Sequence, residues 1–375
     1  MKTETSSYGK GMQPMSKASQ SRIESTTSVI VTYPPSWYER LQNLVDRLPI
    51  PYWVTYTLLG LTIFGVGALV KVFDPLQSGT PLDPTSLLAI FQIAYVLTLM
   101  HFLDRLSARS FEVLRPILEL GEPDKETLKA RLTTMPPRIP SRIAILVCAF
   151  FTCIGVLLFT GILSIENPDL SLSVNQFSNS PVGILNWIYF TLLWVVNAIF
   201  IYHTFHQLRT ISTILTQHAR INLFHQNELY AFSRVSASTA IGLVLTSPIW
   251  LLLDRGLINL IINSVFSIMA LIIFVTPLVG AHALLKRQKD QLLKQCQHNK
   301  EVLINDLFIK LEQGKLKEIQ LIEGALSGLD KAHNDIHKIS TWPWQMGTVR
   351  QIIGAISLPI TIWLIQYFLS GFLSP

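Results

Sequence analysis

STWPWQMGTVR, residues 340–350, places two tryptophans around a proline where the chain changes solvent. The preceding residues 282–340 are dense in Lys, Asp and Glu, whereas residues 351–372 carry none of these and no Arg. Indole rings are amphipathic and gather at headgroup depth in bilayers. Trp342 and Trp344 therefore read as an interfacial anchor where the chain re-enters lipid. Thr341 is placed as the N-cap of a new helix, with Pro343 in its first turn, where a missing N–H costs nothing. Arg350 lies just inside that span and can snorkel back to the interface. A second reading makes the same stretch a mobile gate at the base of the last span.

Composition agrees with a lipid setting. Hydrophobic residues make up 49% and charged residues 14%, with a mean hydropathy of +0.39; soluble domains carry about 25% charge. A hydrocarbon core about 30 Å thick needs about 20 apolar residues in a helix. Seven stretches qualify: 52–73, 86–103, 141–163, 183–203, 236–253, 257–281 and 348–372. The fifth is short, begins Ser/Thr-rich and carries Pro248, so it reads as a kinked span or a re-entrant segment. With the sixth it forms a hairpin around the polar turn LLLDRGL. The predicted fold class is an all-α integral membrane protein with seven transmembrane helices.

Lysine and arginine orient it. If the N-terminal segment, residues 104–142, 204–235 and 282–347, and Arg350 share one side, that side holds every one of the 30 basic residues except Lys71 and Arg255. The N-terminus is therefore expected in the cytoplasm and the C-terminus outside the cell membrane. Acidic residues nearly match the basic ones on the inner side: only Asp74, Asp83, Glu166, Asp169 and Asp254 of the 24 lie elsewhere. The pI of about 9.2 thus records topology and contact with anionic lipid. No basic groove with interleaved aromatics suggests nucleic acid.

Residues 1–33 are Ser/Thr/Lys-rich and are expected to be a disordered cytoplasmic tail, with no cleavable signal peptide. Residues 34–51 read as an interfacial amphipathic helix. Residues 52–281 form a six-span region with cytoplasmic helix extensions. Residues 282–340 form a cytoplasmic helical hairpin, turned at Gly314, with Ile304, Leu307 and Leu311 facing Leu316, Ile319, Ile322, Leu326 and Leu329. Residues 341–375 hold the re-entry anchor and the seventh span. Cys148, Cys153 and Cys296 provide neither a disulfide framework nor zinc spacing.

Ionisable groups inside a membrane are costly and usually functional. The spans place no Asp or Glu near the midplane, which argues against a proton-coupled carrier, a voltage sensor and an aspartyl protease. Neutral polar residues do occur. Gln92, Tyr95 and Thr98 lie on the second span, and Asn186, Tyr189 and Asn197 on the fourth. Asn259, Asn263 and Ser267 follow i, i+4, i+8 on the sixth, and Ser357, Thr361 and Gln366 lie on the seventh. They read either as interhelical hydrogen bonds worth roughly 1 kcal/mol each, or as the lining of a pore or ligand cavity. For the second reading the candidates are Ser357, Thr361, Gln366, Asn259, Asn263, Gln92 and Asn197. His203 and His206 form an HxxH pair and, with His101 or His282, the one weak metal or haem candidate; no metal or cofactor is expected. Gly60, Gly65 and Gly67 lie inside a span, where close helix packing is the expected role.

The stretch INLFHQNELYAFSRVSASTAIGLVL, the WPW segment and LPITIWLIQYF resemble uncharacterised bacterial multipass membrane proteins over about the second half of the chain. That resemblance carries no activity. The plan of seven spans, an inner N-terminus, extended middle helices and a divided last helix also resembles insect odorant and gustatory receptors, which are ligand-gated cation channels. Their last span carries a Thr-Tyr…Gln-Phe pattern. Here Thr361 and Gln366 stand closer together, Ile362 replaces the tyrosine and Tyr367 the phenylalanine, so the similarity is one of topology. The expected function is a non-enzymatic oligomeric channel or sensor, coupling the hairpin to the last span. The alternatives are a carrier for an uncharged or lipid-like solute and an assembly subunit of a membrane complex. Expected partners are the lipid bilayer, further copies of the chain and a membrane-complex partner.

Overall fold

A computed structural model describes residues 35–73, 84–159, 181–218, 223, 227–246, 248–252, 257–344 and 346–373. The expected N-terminal tail, most of the outer loops, Arg255 and His225 lie outside the described residues. Every regular element among the described residues is helical: α1 Trp37–Asp46, α2 Tyr52–Val72, α3 Pro84–Leu114, α4 Glu122–Thr133, α5 Arg138–Phe159, α6 Pro181–Thr213, α7 Asn227–Val244, α8 Leu257–Glu312, α9 Leu316–Lys338 and α10 Met346–Leu373. Short 3₁₀ turns at Arg115–Ile117 and Pro248–Leu252 and a π turn at Ile214–His218 complete the set.

The chain is a multipass membrane protein by the length and apolarity of six of its helices: Tyr52–Val72, Pro84–Ile117, Glu122–Leu157, Val182–Gln217, Leu260–Glu312 and Gly347–Phe368. Three run well beyond a bilayer core. At 1.5 Å per residue, α3 is about 47 Å long, α6 about 50 Å and α8 about 84 Å. The fifth apolar stretch, read as kinked or re-entrant, is broken before Pro248. Helix α7 starts earlier, at Asn227, and stops at Val244, after which the chain turns before a 3₁₀ segment opening at Pro248. Proline lacks an N–H and clashes with the preceding turn, which fits a helix that stops before Pro248, although Pro277 and Pro359 are accommodated inside α8 and α10.

Burial divides the helices into a centre and a rim. In the apolar part of α3 67% of residues are buried, against 17% in α2 and 11% in both α5 and α10. Helix α7 is also central: Phe232, Val235, Ala237, Ala240, Leu243 and Val244 are buried, as are Ser233, Ser236 and Thr239. Outward residues of the rim are large and apolar, including Ile145, Leu146 and Phe150 on α5 and Ile353, Ile360 and Phe368 on α10. In water such a surface would aggregate; in lipid tails it is at home.

Glycines let the central helices approach. A Cβ on Gly242 of α7 would stand 2.6 Å from both terminal methyls of Leu99 on α3. One on Gly60 would meet Ile90 at 3.2 Å, and one on Gly67 would strike the Tyr189 hydroxyl, whereas Gly65 faces open space. Gly242→Ala is expected to destabilise the fold by about 1–3 kcal/mol through overpacking, seen as a lower melting temperature in detergent; Gly65→Ala is the neutral control.

A hairpin closes where α8 turns back into α9. Its outgoing arm is the continuation of α8, unbroken from Leu257 to Glu312. Gly314 takes φ +66°, the left-handed conformation that glycine adopts without strain. Gly314 N–H donates to Leu311 O and Lys315 N–H to Lys310 O, the paired bonds of a Schellman ending. Antiparallel α9 then packs Ile319, Ile322, Leu326 and Leu329 toward α8, and Lys310–Glu318 (2.6 Å) and Lys300–Asp330 (2.8 Å) bridge the arms. The Lys310 ammonium holds the Glu318 carboxyl below its usual range. Leu311 and Leu316, expected inside, are 52% and 76% exposed, because the tight turn leaves no facing turn of helix to cover them.

Candidate functional site

The residue that organises one end of the bundle is Asp104, on the third turn from the end of α3. It is 7% exposed and surrounded by donors from two other helices. Gln42 Nε2 of α1 donates to Oδ2 at 2.8 Å, and the Tyr38 hydroxyl lies at 3.5 Å from the same oxygen. Gln207 Nε2 of α6 donates to Oδ1 at 3.4 Å and also reaches Leu132 O. His203 Nε2 approaches Oδ1 to 2.9 Å but is not aligned for a hydrogen bond. Helical spacing supplies each pair: Tyr38/Gln42 and His203/Gln207 are i, i+4 neighbours on one face. Burial, and then the Asp104 carboxylate, push the Tyr38 hydroxyl above its ordinary range, so it remains a donor.

The N-terminal helix α1 is clamped here at several points. A capping box opens it: Ser36 Oγ accepts from Glu39 N–H at 3.3 Å, and Glu39 Oε2 accepts from Ser36 N–H at 2.9 Å. The second oxygen of Glu39 accepts from Met135 N–H at 2.8 Å, which ties α1 to the connection between α4 and α5. Beside this lies a second layer. His101 Nε2 is 3.1 Å from Asp46 Oδ1, its Nδ1 is 3.3 Å from the Tyr56 hydroxyl, and its ring stacks on Tyr52 at 4.6 Å. Arg105 bonds Asp46 Oδ1 at 2.5 Å and covers Tyr52 at 4.9 Å. The result is a carboxylate–imidazole cluster sealed under α1, joining α1, α2, α3 and α6 at one level.

The polar residues singled out from sequence do not converge. Gln92 accepts from the Trp250 indole N–H across the α3–α7 side of the bundle. Asn197 donates to Leu193 O at 2.8 Å within its own helix, and its Oδ1 is buried without a partner among the described residues. Asn263 is 1% exposed, and the side chain of Asn259 lies outside the described residues. Ser86 donates to Asn186 at 2.9 Å, and Tyr95 and Tyr189 donate to the carbonyls of Gly242 and Ile63. These are interhelical bonds. Ser357 and Thr361 are exposed on α10 and donate back to Gly354 O and Ser357 O, while Gln366 Oε1 is buried without a partner among the described residues.

The histidines also separate. His203 faces Asp104, whereas His206 stacks on Tyr202; no group of three His, Cys, Asp or Glu among the described residues is arranged to hold a metal ion. His282 belongs to the opening motif instead. Its ring stacks on Trp342 at 4.0 Å, Trp342 stacks on Trp344 at 4.4 Å, and Trp344 stacks on Phe274 at 5.7 Å. His282 Nδ1 meets Thr341 O at 3.1 Å. Thr341 is therefore no N-cap, and Pro343 is buried in a non-helical link, since α10 begins only at Met346. The helical region is disfavoured for the residue before proline, which fits the non-helical backbone at Trp342. Arg350 is exposed.

Comparison with protein-family models, with curated proteins and with solved structures returns no match.

Proposed function

We propose that the chain is an oligomeric membrane channel or sensor, with seven spans, a cytoplasmic N-terminus and a hairpin that moves the last span. The observation that carries this reading is mechanical. Helix α8 is one rod from bilayer to hairpin tip, and the ring stack fastens the link after α9 to that rod just where α10 begins. Lys289 on α8 adds two bonds, to His337 O at 2.7 Å and Ile339 O at 2.9 Å. A displacement of the hairpin is thus passed through the stacked rings toward the start of α10.

The peripheral place of α10 supports an oligomer. Gly354, Ser357 and Thr361 share an exposed face, and Gln366 follows on the same helix with its Oε1 buried and without a partner among the described residues. Several copies meeting at this face would give the small and polar residues each other, or an aqueous axis, as neighbours. A role as an assembly subunit is the second reading, favoured by the exposed apolar residues Phe308, Leu316 and Leu321 near the hairpin tip.

The full chain in planar bilayers is expected to give unitary currents, and Gln366→Leu and Thr361→Leu are expected to alter their conductance or selectivity. Unchanged currents in both variants remove α10 as the lining. Solute uptake without current indicates a carrier, and neither activity without a co-purified partner points to assembly.

A further inference from the structure

We infer that the junction of α1 and α2 is a binding site for a primary-ammonium phosphodiester, the headgroup chemistry of an aminophospholipid. A cavity of about 320 Å³ opens there, lined by Asp46, Arg105, Tyr52, Trp53, Leu48 and Ile50 among others. Its volume is at the lower end for small-ligand sites, enough for a headgroup and not for acyl chains. The lining is divided in the manner such a molecule requires. Asp46 and Arg105 form the charged wall, each roughly half exposed. Leu48, Ile50 and Trp53 form an apolar lip and are 42%, 41% and 57% exposed.

The depth is set by the chain itself. Tyr52 opens the first span, while Pro49 and Pro51 end the interfacial helix before it. The cavity therefore sits where phosphate and amine groups of a leaflet lie, with its lip toward the acyl chains.

Both charged groups have bonding capacity left. Arg105 and His101 each contact Asp46 through Oδ1, so Oδ2 can accept from an ammonium. Arg105 spends one terminal nitrogen on Asp46, and a guanidinium has five N–H donors in a planar fork that suits phosphate. The Tyr52 ring, held between His101 and the guanidinium, fixes the position of Arg105. A headgroup with phosphate alone would meet the Asp46 carboxylate, and one with a cation alone would meet Arg105. A phosphodiester bearing a primary ammonium answers both, and its N–H donors distinguish it from a trimethylated amine.

The test uses the full chain in a non-ionic detergent, with occupancy read by native mass spectrometry. Short-chain phosphatidylethanolamine, its mono-, di- and trimethylated analogues, and phosphatidylglycerol are titrated, alongside soluble glycerophosphoethanolamine. The expected result is a graded loss of affinity along the methylation series, reaching about tenfold, the value of one charge-assisted hydrogen bond. Asp46→Asn should flatten that series, and Arg105→Gln should weaken every phosphodiester. Tighter binding of the lipid than of the soluble phosphodiester identifies a membrane lipid as the occupant; equal binding identifies a free solute of the same chemistry. Equal affinity across the methylation series in the unaltered chain, or for phosphatidylglycerol, overturns the assignment whether or not the variants fold.

Discussion

Replacing Asp104 with alanine is expected to release the N-terminal helix. Gln42, Tyr38 and Gln207 point their donors at this carboxylate, and His203 rests against it. Removing one partner of a buried polar set leaves the others desolvated without compensation, at about 1–3 kcal/mol per neutral group. The three donors are neutral and His203 makes no hydrogen bond to the carboxyl group, so this per-group figure sets the scale. The loss falls on α1 in particular, whose remaining polar ties to the bundle are Glu39 with Met135 N–H and, at its last residue, Asp46 with His101 and Arg105. Limited trypsin digestion should therefore cut at Arg40 and Arg47 much faster in Asp104→Ala than in the unaltered chain. Asp104→Asn, which keeps the shape and one acceptor oxygen, should lie between. Unchanged protection of both arginines in the alanine variant would show that α1 is held by its apolar face, through Tyr38 and Val45, and not by this network.

The lipid setting was legible because it is written over long windows. Runs of about 20 apolar residues mark a bilayer, and α2, α5 and α10 begin and end within a few residues of their predicted spans. The helical extension beyond the second span was legible too, since Leu103, Phe111 and Leu114 keep helical spacing past the apolar run of α3 and are all buried. Finer features escaped. Asp104 looked like the first polar residue of an extension, when burial depends on what α1 lays over it. The signal was present in the i, i+4 pairs Tyr38/Gln42 and His203/Gln207, but such pairs resemble any solvated helix face until their partners are known. Polar residues inside spans were sorted by helix face alone, which does not reveal that Gln92 meets Trp250 or that Ser357 and Thr361 turn outward.

The other large effect is expected from cutting the ring stack. In Trp342→Ala/Trp344→Ala, the link between α9 and α10 loses both indoles that hold it against α8, while neither helix loses a backbone bond. Truncating a buried tryptophan costs about 3–5 kcal/mol; these two are half-buried, so each single variant should fall below that range. Stacked pairs add about 0.5–1.5 kcal/mol beyond their area, and a double-mutant cycle on the two positions should return a coupling of about that size. Melting of the bundle should change little, because its core is α3 and α7, whereas the bond at Lys338 should become open to trypsin as the end of α9 lifts. If hairpin and last span form one lever, currents in planar bilayers should persist but lose their response to perturbation of the hairpin, such as Gly314→Val at the turn. Lys289→Met provides the contrast: it removes the two bonds to the end of α9 and leaves the rings in place, so it should weaken the hairpin without uncoupling α10. A double variant whose currents still follow Gly314→Val would mean that force reaches α10 through its contacts with α7, and the stack would then be a simple membrane anchor.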